Sequence, residues 1–181
     1  MAAGTTLFRI EVDLSNVDEG QYERFELRVA QHPSEDLSRV VARTLAYCLV
    51  YEPELQWGRG LDEPDEPALF ARDANQNLQH WIDVGVPNAE RMHKASKAAP
   101  RFSIVCHKGK EGLLRERDKR AIHRADKIGV WLLDPNLVAA LAQCLQRATQ
   151  WVVVKTSGEL MVTVGESSLS GYVLETTLSE L

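Results

Sequence analysis

The stretch Leu78-Gln79-His80-Trp81-Ile82-Asp83-Val84-Gly85-Val86-Pro87-Asn88 decides the fold class. Its first part is rich in bulky apolar side chains and reads as a strand over 78–84. Pro87 and Asn88 then open a short helix that runs to about Lys97. Residues 102–107 follow as a compact run with Ile104 and Val105, which predicts a buried strand. Strand, helix and strand in succession are the alternation of an α/β fold.

The reading extends upstream. Residues 55–58 and 68–72 are strand candidates, separated by Asp62-Glu63-Pro64-Asp65-Glu66-Pro67, a turn carrying four acids. Asn75-Gln76-Asn77 marks another turn. Earlier still, Pro33 suits a first helical position and Glu35 a first helical turn. Leu37, Val40, Val41, Thr44, Leu45 and Cys48 recur at helical spacing, with Arg39 and Arg43 one turn apart on the wetter side. At the start, Phe8, Ile10, Val12 and Leu14 alternate with polar residues, as do Phe25, Leu27 and Val29. Period two predicts two strands, each with one buried face, joined as a hairpin.

Downstream, residues 108–127 hold eight Lys or Arg against four Asp or Glu and read as partly helical. Residues 128–133 predict a buried strand. Asp134 caps a helix expected from Pro135 to near Arg147. Residues 150–156 and 159–164 flank Ser157-Gly158, a hairpin turn. The tail, 172–181, reads as one weak strand that then frays. No repeat or linker divides the 181 residues, so one domain is expected.

Composition narrows the function classes. The formal net charge is −5, which opposes strong sequence-independent nucleic-acid binding by the whole surface but leaves a local basic patch open. The acids of residues 108–127 interleave with the bases, the pattern of a solvated helix face, and phosphate tracking is the other reading of that stretch. Cys48, Cys106 and Cys144 are widely spaced, form no CxxC pair and lie in apolar runs, so reduced, buried thiols in the cytoplasm are expected. No apolar window reaches the length of a membrane span.

The chemistry-bearing candidates centre on Asp65 and Asp83. One acid lies at the entry to a strand and the other at the end of the next. Adjacent strands lie about 5 Å apart, which allows two carboxylates to share a cation. Mg²⁺ (or Mn²⁺) is the fitting ion, because a hard dication takes few carboxylates and keeps waters for a phosphate. Such an ion would serve phosphodiester hydrolysis. A solvated acidic turn explains the same residues without chemistry. Lys94, about two turns into the following helix, is a candidate to orient water, or a surface lysine. Glu66 is a further candidate ligand, Arg59 a candidate phosphate contact, and Glu35 a supporting acid that its helix position also explains. His32, His80, His93, His107 and His123 show no zinc spacing, and the absence of a GxSxG elbow gives a serine triad no support. No GxGxxG or GxxxxGK[ST] loop is present.

His32-Pro33-Ser34-Glu35, Gly58-Arg59-Gly60-Leu61, Asp65-Glu66-Pro67, Trp81-Ile82-Asp83-Val84-Gly85 with Pro87, and Arg91-Met92-His93-Lys94-Ala95 together resemble the bacterial YaeQ family over essentially the whole chain. That family looks like a variant of the PD-(D/E)XK nuclease fold. The resemblance implies a mixed central sheet flanked by helices, a restriction-endonuclease-like core over roughly 33–107, additional N- and C-terminal strands, and an acidic site at one edge. Asp65 matches the first acid of the nuclease pattern and Asp83 the second. The usual lysine, two residues beyond the second acid, is replaced by Gly85, and the resemblance makes Lys94 the residue that takes over. Two functions are implied: an Mg²⁺-dependent nuclease acting on DNA or RNA, or an inactive nuclease-fold module that binds nucleic acid or a protein partner.

Overall fold

A computed structural model describes residues 4–60, 63 and 65–181. In chain order its elements are β1 (Thr6–Asn16), β2 (Gln21–Gln31), α1 (Leu37–Leu49), β3 (Leu55–Trp57), β4 (Leu69–Arg72), β5 (Leu78–Val84), α2 (Ala89–Ala98), β6 (Arg101–Cys106), α3 (Glu111–Arg117), β7 (Gly129–Leu133), α4 (Pro135–Cys144), β8 (Ala148–Thr156), β9 (Glu159–Val164) and β10 (Ser167–Thr177). The chain divides into two compact units. The first comprises Met1–Leu49 and Asp134–Val173, the second Val50–Leu133 and Leu174–Leu181. The mixed α/β character expected from the alternating pattern is present in both.

In the first unit the strands lie in the order β2-β1-β8-β9-β10. The N-terminal hairpin forms as expected, antiparallel from Thr6 opposite Gln31 to Asn16 opposite Gln21. β8 joins the other side of β1 in parallel, and β9 and β10 follow antiparallel. Phe8, Ile10, Val12 and Leu14 are buried, and Trp151, Val153, Leu160 and Val162 continue the same core. α1 packs against α4 and β2. Its start differs from the expectation. Pro33 and Ser34 form a turn, and the helix begins at Leu37, because Asp36 Oδ1 accepts the Arg39 amide at 2.8 Å and caps the end. At the other helix, Asp134 accepts the Asn136 amide at 2.8 Å with Pro135 at the first position, as read, but α4 ends at Cys144 rather than Arg147.

In the second unit the order is β7-β6-β5-β4-β3. β3, β4 and β5 are antiparallel neighbours, while β5, β6 and β7 are parallel. Parallel neighbours need long crossovers, and α2 and α3 supply them. β5 is buried from His80 to Val84 without alternation, the mark of a strand covered on both faces. This is why His80 and Asp83, although on opposite faces, are both buried. Met92, Ala95, Phe102, Ile104, Leu113, Ile128 and Val130 form the core with Leu178.

The tail departs from its reading as a fraying end. β10 is eleven residues long, and beyond it Leu178 is fully buried, with its amide bonded to the Ile128 carbonyl at 2.9 Å. Burying a leucine contributes about 1.5–3 kcal/mol, enough to order a short terminus. Of the cysteines, Cys48 and Cys106 are buried and Cys144 is half-exposed; burial pushes the Cys48 thiol up to about 12. No helix among the described residues is long and apolar enough to cross a membrane.

Candidate functional site

Asp83, near the C-terminal end of β5, is held by three donors. Trp81, two residues earlier on the same strand face, donates its indole N–H to Oδ1 at 2.9 Å. Arg91 approaches as a fork: Nε reaches Oδ2 and Nη2 reaches Oδ1, both at 2.7 Å. The same Nη2 donates to the Glu66 carbonyl at 2.6 Å, and the guanidinium lies 5.4 Å from the centre of the Trp81 ring. The local sequence dictates this aim. Asn88 caps α2 by accepting the Arg91 amide at 2.8 Å, which sets Arg91 in the first turn beside the strand end it has just left. The Asp83 side chain is 5% exposed and that of Arg91 24%.

Arg91 thus ties the strand-end acid to the backbone of the acidic turn. One helical turn on, Lys94 Nζ donates to Asp65 Oδ1 at 2.9 Å and holds the Asp65 carboxyl below the usual carboxylate range. Both side chains of this pair are open to water, 57% and 87% exposed, where ion pairs contribute little. Arg59 pairs with Glu66 at 2.6 Å and with Glu63 at 3.2 Å, so the candidate phosphate contact and the candidate third ligand neutralise each other. Gly58 lets this loop close: a Cβ there would run into the Pro67 carbonyl. Asp62 and Pro64 of the predicted acidic turn lie outside the described residues.

The residues gathered here do not present a ligand set for a resident dication. Both Asp83 oxygens already accept charged or indole N–H donors, and a cation there would sit against the Arg91 guanidinium. Among the described residues no three His, Cys, Asp or Glu side chains converge. Gly85, in the place of the usual lysine, has φ +106°, a conformation that L side chains rarely adopt, so that slot is closed to a lysine by the backbone itself. Arg91 is the residue that sequence reasoning passed over. It stands inside a quoted motif, and the only hint of its role is its place three residues after a helix-capping Asn.

Glu35 belongs to the first unit. Its carboxylate pairs with Arg43 at 2.8 Å and Arg39 at 3.2 Å and accepts the His32 amide at 3.2 Å. The two arginines read as a wet helix face instead flank a buried acid.

A serine–histidine–acid alignment is present even without a GxSxG elbow. His80 Nδ1 lies 2.8 Å from Glu52 Oε1, and Nε2 lies 2.7 Å from Ser103 Oγ. Arg101 anchors the other Glu52 oxygen at 2.6 Å. The order of groups matches a nucleophile, its base and an orienting acid. Ser103, however, is 4% exposed, and neither it nor His80 lines the neighbouring depression of about 500 Å³ around Glu52, Gln79 and Arg101. The chain of bonds satisfies polar groups between β5 and β6.

This network has a pH signature. Burial holds the His80 imidazole below its ordinary value despite the bond to Glu52, and the Arg101 charge adds to the depression. For Glu52 burial pushes upward, but hydrogen bonds from Arg101 and His80 outweigh it and leave the carboxyl lowered. Both folded-state values lie below the unfolded ones. The His80 contribution is therefore complete above about pH 6.5 and lost as pH falls below it, and that of Glu52 goes at lower pH still. Urea midpoints are expected to fall between about pH 7 and pH 5, with His80→Leu flattening much of that slope. A wild-type midpoint constant across this window would contradict the assignment.

Comparison with known proteins places the chain. The family model described as YaeQ protein matches residues 1–172. The chain belongs to the YaeQ family. A curated relative from Escherichia coli K12, named Uncharacterized protein YaeQ, is 27% identical over 149 residues, covering 81% of this chain and 82% of that one. The crystal structure of the YaeQ protein from Xanthomonas axonopodis pv. citri superposes with a TM-score of 0.86 at 30% identity, over 96% of this chain and 98% of that one. The YaeQ protein from Pseudomonas syringae gives 0.84 at 28% identity, over 96% of both chains.

Proposed function

We propose that this YaeQ protein is a nucleic-acid-binding domain on a PD-(D/E)XK nuclease-type core whose catalytic centre is closed. The observation that carries the reading is the Asp83 carboxylate, buried and occupied on both oxygens by Arg91 and Trp81. The φ of Gly85 supports it, since the lysine slot after the second acid cannot be refilled at that position. Within residues 33–107, the core that the family resemblance implies, the antiparallel β4–β5 pair and the parallel β5–β6 pair with α2 as crossover support the reading, while α3 and β7 lie beyond it. The nucleic-acid class of ligand rests on that resemblance and on the cationic surplus of residues 108–127.

Fluorescence anisotropy with single- and double-stranded DNA and RNA tests it. Binding is expected to weaken by roughly 40-fold between 50 and 200 mM salt if about three phosphates are contacted. No turnover is expected with Mg²⁺ or Mn²⁺. Absence of binding at low salt sinks the ligand class, and cleavage that disappears in Asp83→Asn sinks the closed centre.

Hydrolysis is the second reading, and the Lys94–Asp65 contact favours it, because it puts a helix lysine beside the first acid as the resemblance implies. It requires metal-dependent cleavage abolished by Asp65→Ala and by Asp83→Ala.

A further inference from the structure

We propose that a second copy of this chain pairs with the outer edge of β2, antiparallel across a two-fold axis at Phe25. The backbone fixes which residues face that edge. Odd residues of β1 serve β8: the Arg9 amide donates to the Arg147 carbonyl at 2.8 Å, and just past the strand the Val17 amide donates to the Lys155 carbonyl at 2.9 Å. Backbone direction alternates along a strand, so the even residues of β1 serve β2. The residues opposite them on β2 are odd, Val29 against Phe8 and Phe25 against Val12 among them. The even residues of β2 therefore turn N–H and C=O away from β1. On that side β2 is the last strand of its sheet.

One of these outward groups is closed within the chain: Arg43 donates to the Ala30 carbonyl at 2.5 Å. The backbone N–H and C=O groups of Tyr22, Arg24, Glu26 and Arg28 have no partner among the described residues. Such an edge is a template for another strand. The devices that keep an edge single are missing from β2. It contains no proline, and its register with β1 runs unbroken from Gln21 to Gln31.

Charge selects the occupant and the register. An axis at residue 25 sets Arg24 opposite Glu26 of the second copy and Glu26 opposite its Arg24, with Tyr22 opposite Arg28 in both directions. Opposite charges directly across are favourable, as is a guanidinium against a tyrosine ring. An axis at residue 24 or 26 sets Arg24 or Glu26 against itself. An axis at residue 27 needs the Ala30 carbonyl, which Arg43 already occupies. The axis at 25 uses the unpaired residues and stops at the Arg43 cap. The side chains are within reach: Arg24 is 80% exposed and Arg28 72%. Their present contacts, with Asp13 and Glu26, are ion pairs open to water that exchange at little cost. A two-fold axis consumes both edges, so assembly through β2 ends at two copies.

The proposal rests on the first unit alone and is independent of the closed centre around Asp83. Analytical ultracentrifugation of the full chain, from micromolar to submillimolar concentration, tests it. A concentration-dependent dimer is expected. Glu26→Arg sets arginine against arginine and is expected to weaken dimerisation by about tenfold or more. Adding Arg24→Glu restores opposite charges about residue 25 and is expected to recover most of the loss. An axis at residue 27 would pair Glu26 with Arg28 and would show no such recovery. Glu26→Pro removes an N–H that faces the second copy, leaves the ladder to β1 complete, and is expected to give a monomer.

Far-UV circular dichroism matching the wild type shows that each variant keeps its fold; if Glu26→Pro does not fold, the charge variants decide alone. A wild type that is monomeric throughout overturns the proposal and leaves the edge to a strand of another protein or to water. A dimer of unchanged strength in the folded variants overturns it too, because another surface then joins the copies. Loss in Glu26→Arg without recovery in the double variant overturns the axis at Phe25.

Discussion

Arg91→Ala is expected to destabilise the protein by about 3 kcal/mol, a large share of the roughly 5–15 kcal/mol of a typical domain. The substitution leaves Asp83 charged and 5% exposed with only the Trp81 indole as donor, and it frees the Glu66 carbonyl. Breaking a buried pair by removing one partner typically costs about 3–5 kcal/mol. The lower end applies because Arg91 is partly open and water can follow its removal. Arg91→Lys keeps the charge and loses the fork, so about half that loss is expected. Adding Asp83→Asn to Arg91→Ala removes the stranded charge and should recover much of the stability. Urea denaturation at constant m is the measurement. A single-variant loss below about 1 kcal/mol would mean that Asp83 is not held as described.

Glu35→Ala is the second large effect, again about 3 kcal/mol. The Glu35 and Arg43 side chains are 3% and 8% exposed, so the variant leaves a buried guanidinium without its carboxylate, bonded still to the Ala30 carbonyl. It also removes the acceptor for the His32 amide and a partner of Arg39. Glu35→Gln, which retains an acceptor, is expected to lose about half as much. Thermal melting of both variants checks the order. Equal, small losses would return Glu35 to the role of an ordinary surface acid near a helix start.

Glu35 also shows where the sequence is legible and where it is not. Hydrophobic period and turn chemistry locate β5, α2 and β6 to within a residue or two and find the β1–β2 hairpin, whose second strand starts earlier than its apolar alternation. The start of α1 is misplaced because Pro33 and Glu35 mimic a first turn, while the capping competition is won by Asp36. The tail escapes because its ordering comes from a partner, Ile128, fifty residues away, rather than from its own pattern.

The candidate site divides in the same way. Asp83 and Lys94 stand out as an acid at a strand end and a lysine on the next helix. That the acid is occupied by Arg91 depends on the angle between β5 and α2, which no local spacing encodes. The Glu52–His80–Ser103 chain joins residues 28 and 23 apart on different elements and carries no local motif at all.

The most direct test of the closed centre is calorimetric titration of the wild-type chain with Mn²⁺ or Mg²⁺, beside Asp83→Asn. The expected result is no saturable heat in either protein up to millimolar cation, because Arg91 and Trp81 already fill the Asp83 oxygens. Saturable binding to the wild type that disappears in Asp83→Asn would show an open carboxylate centre and contradict the account.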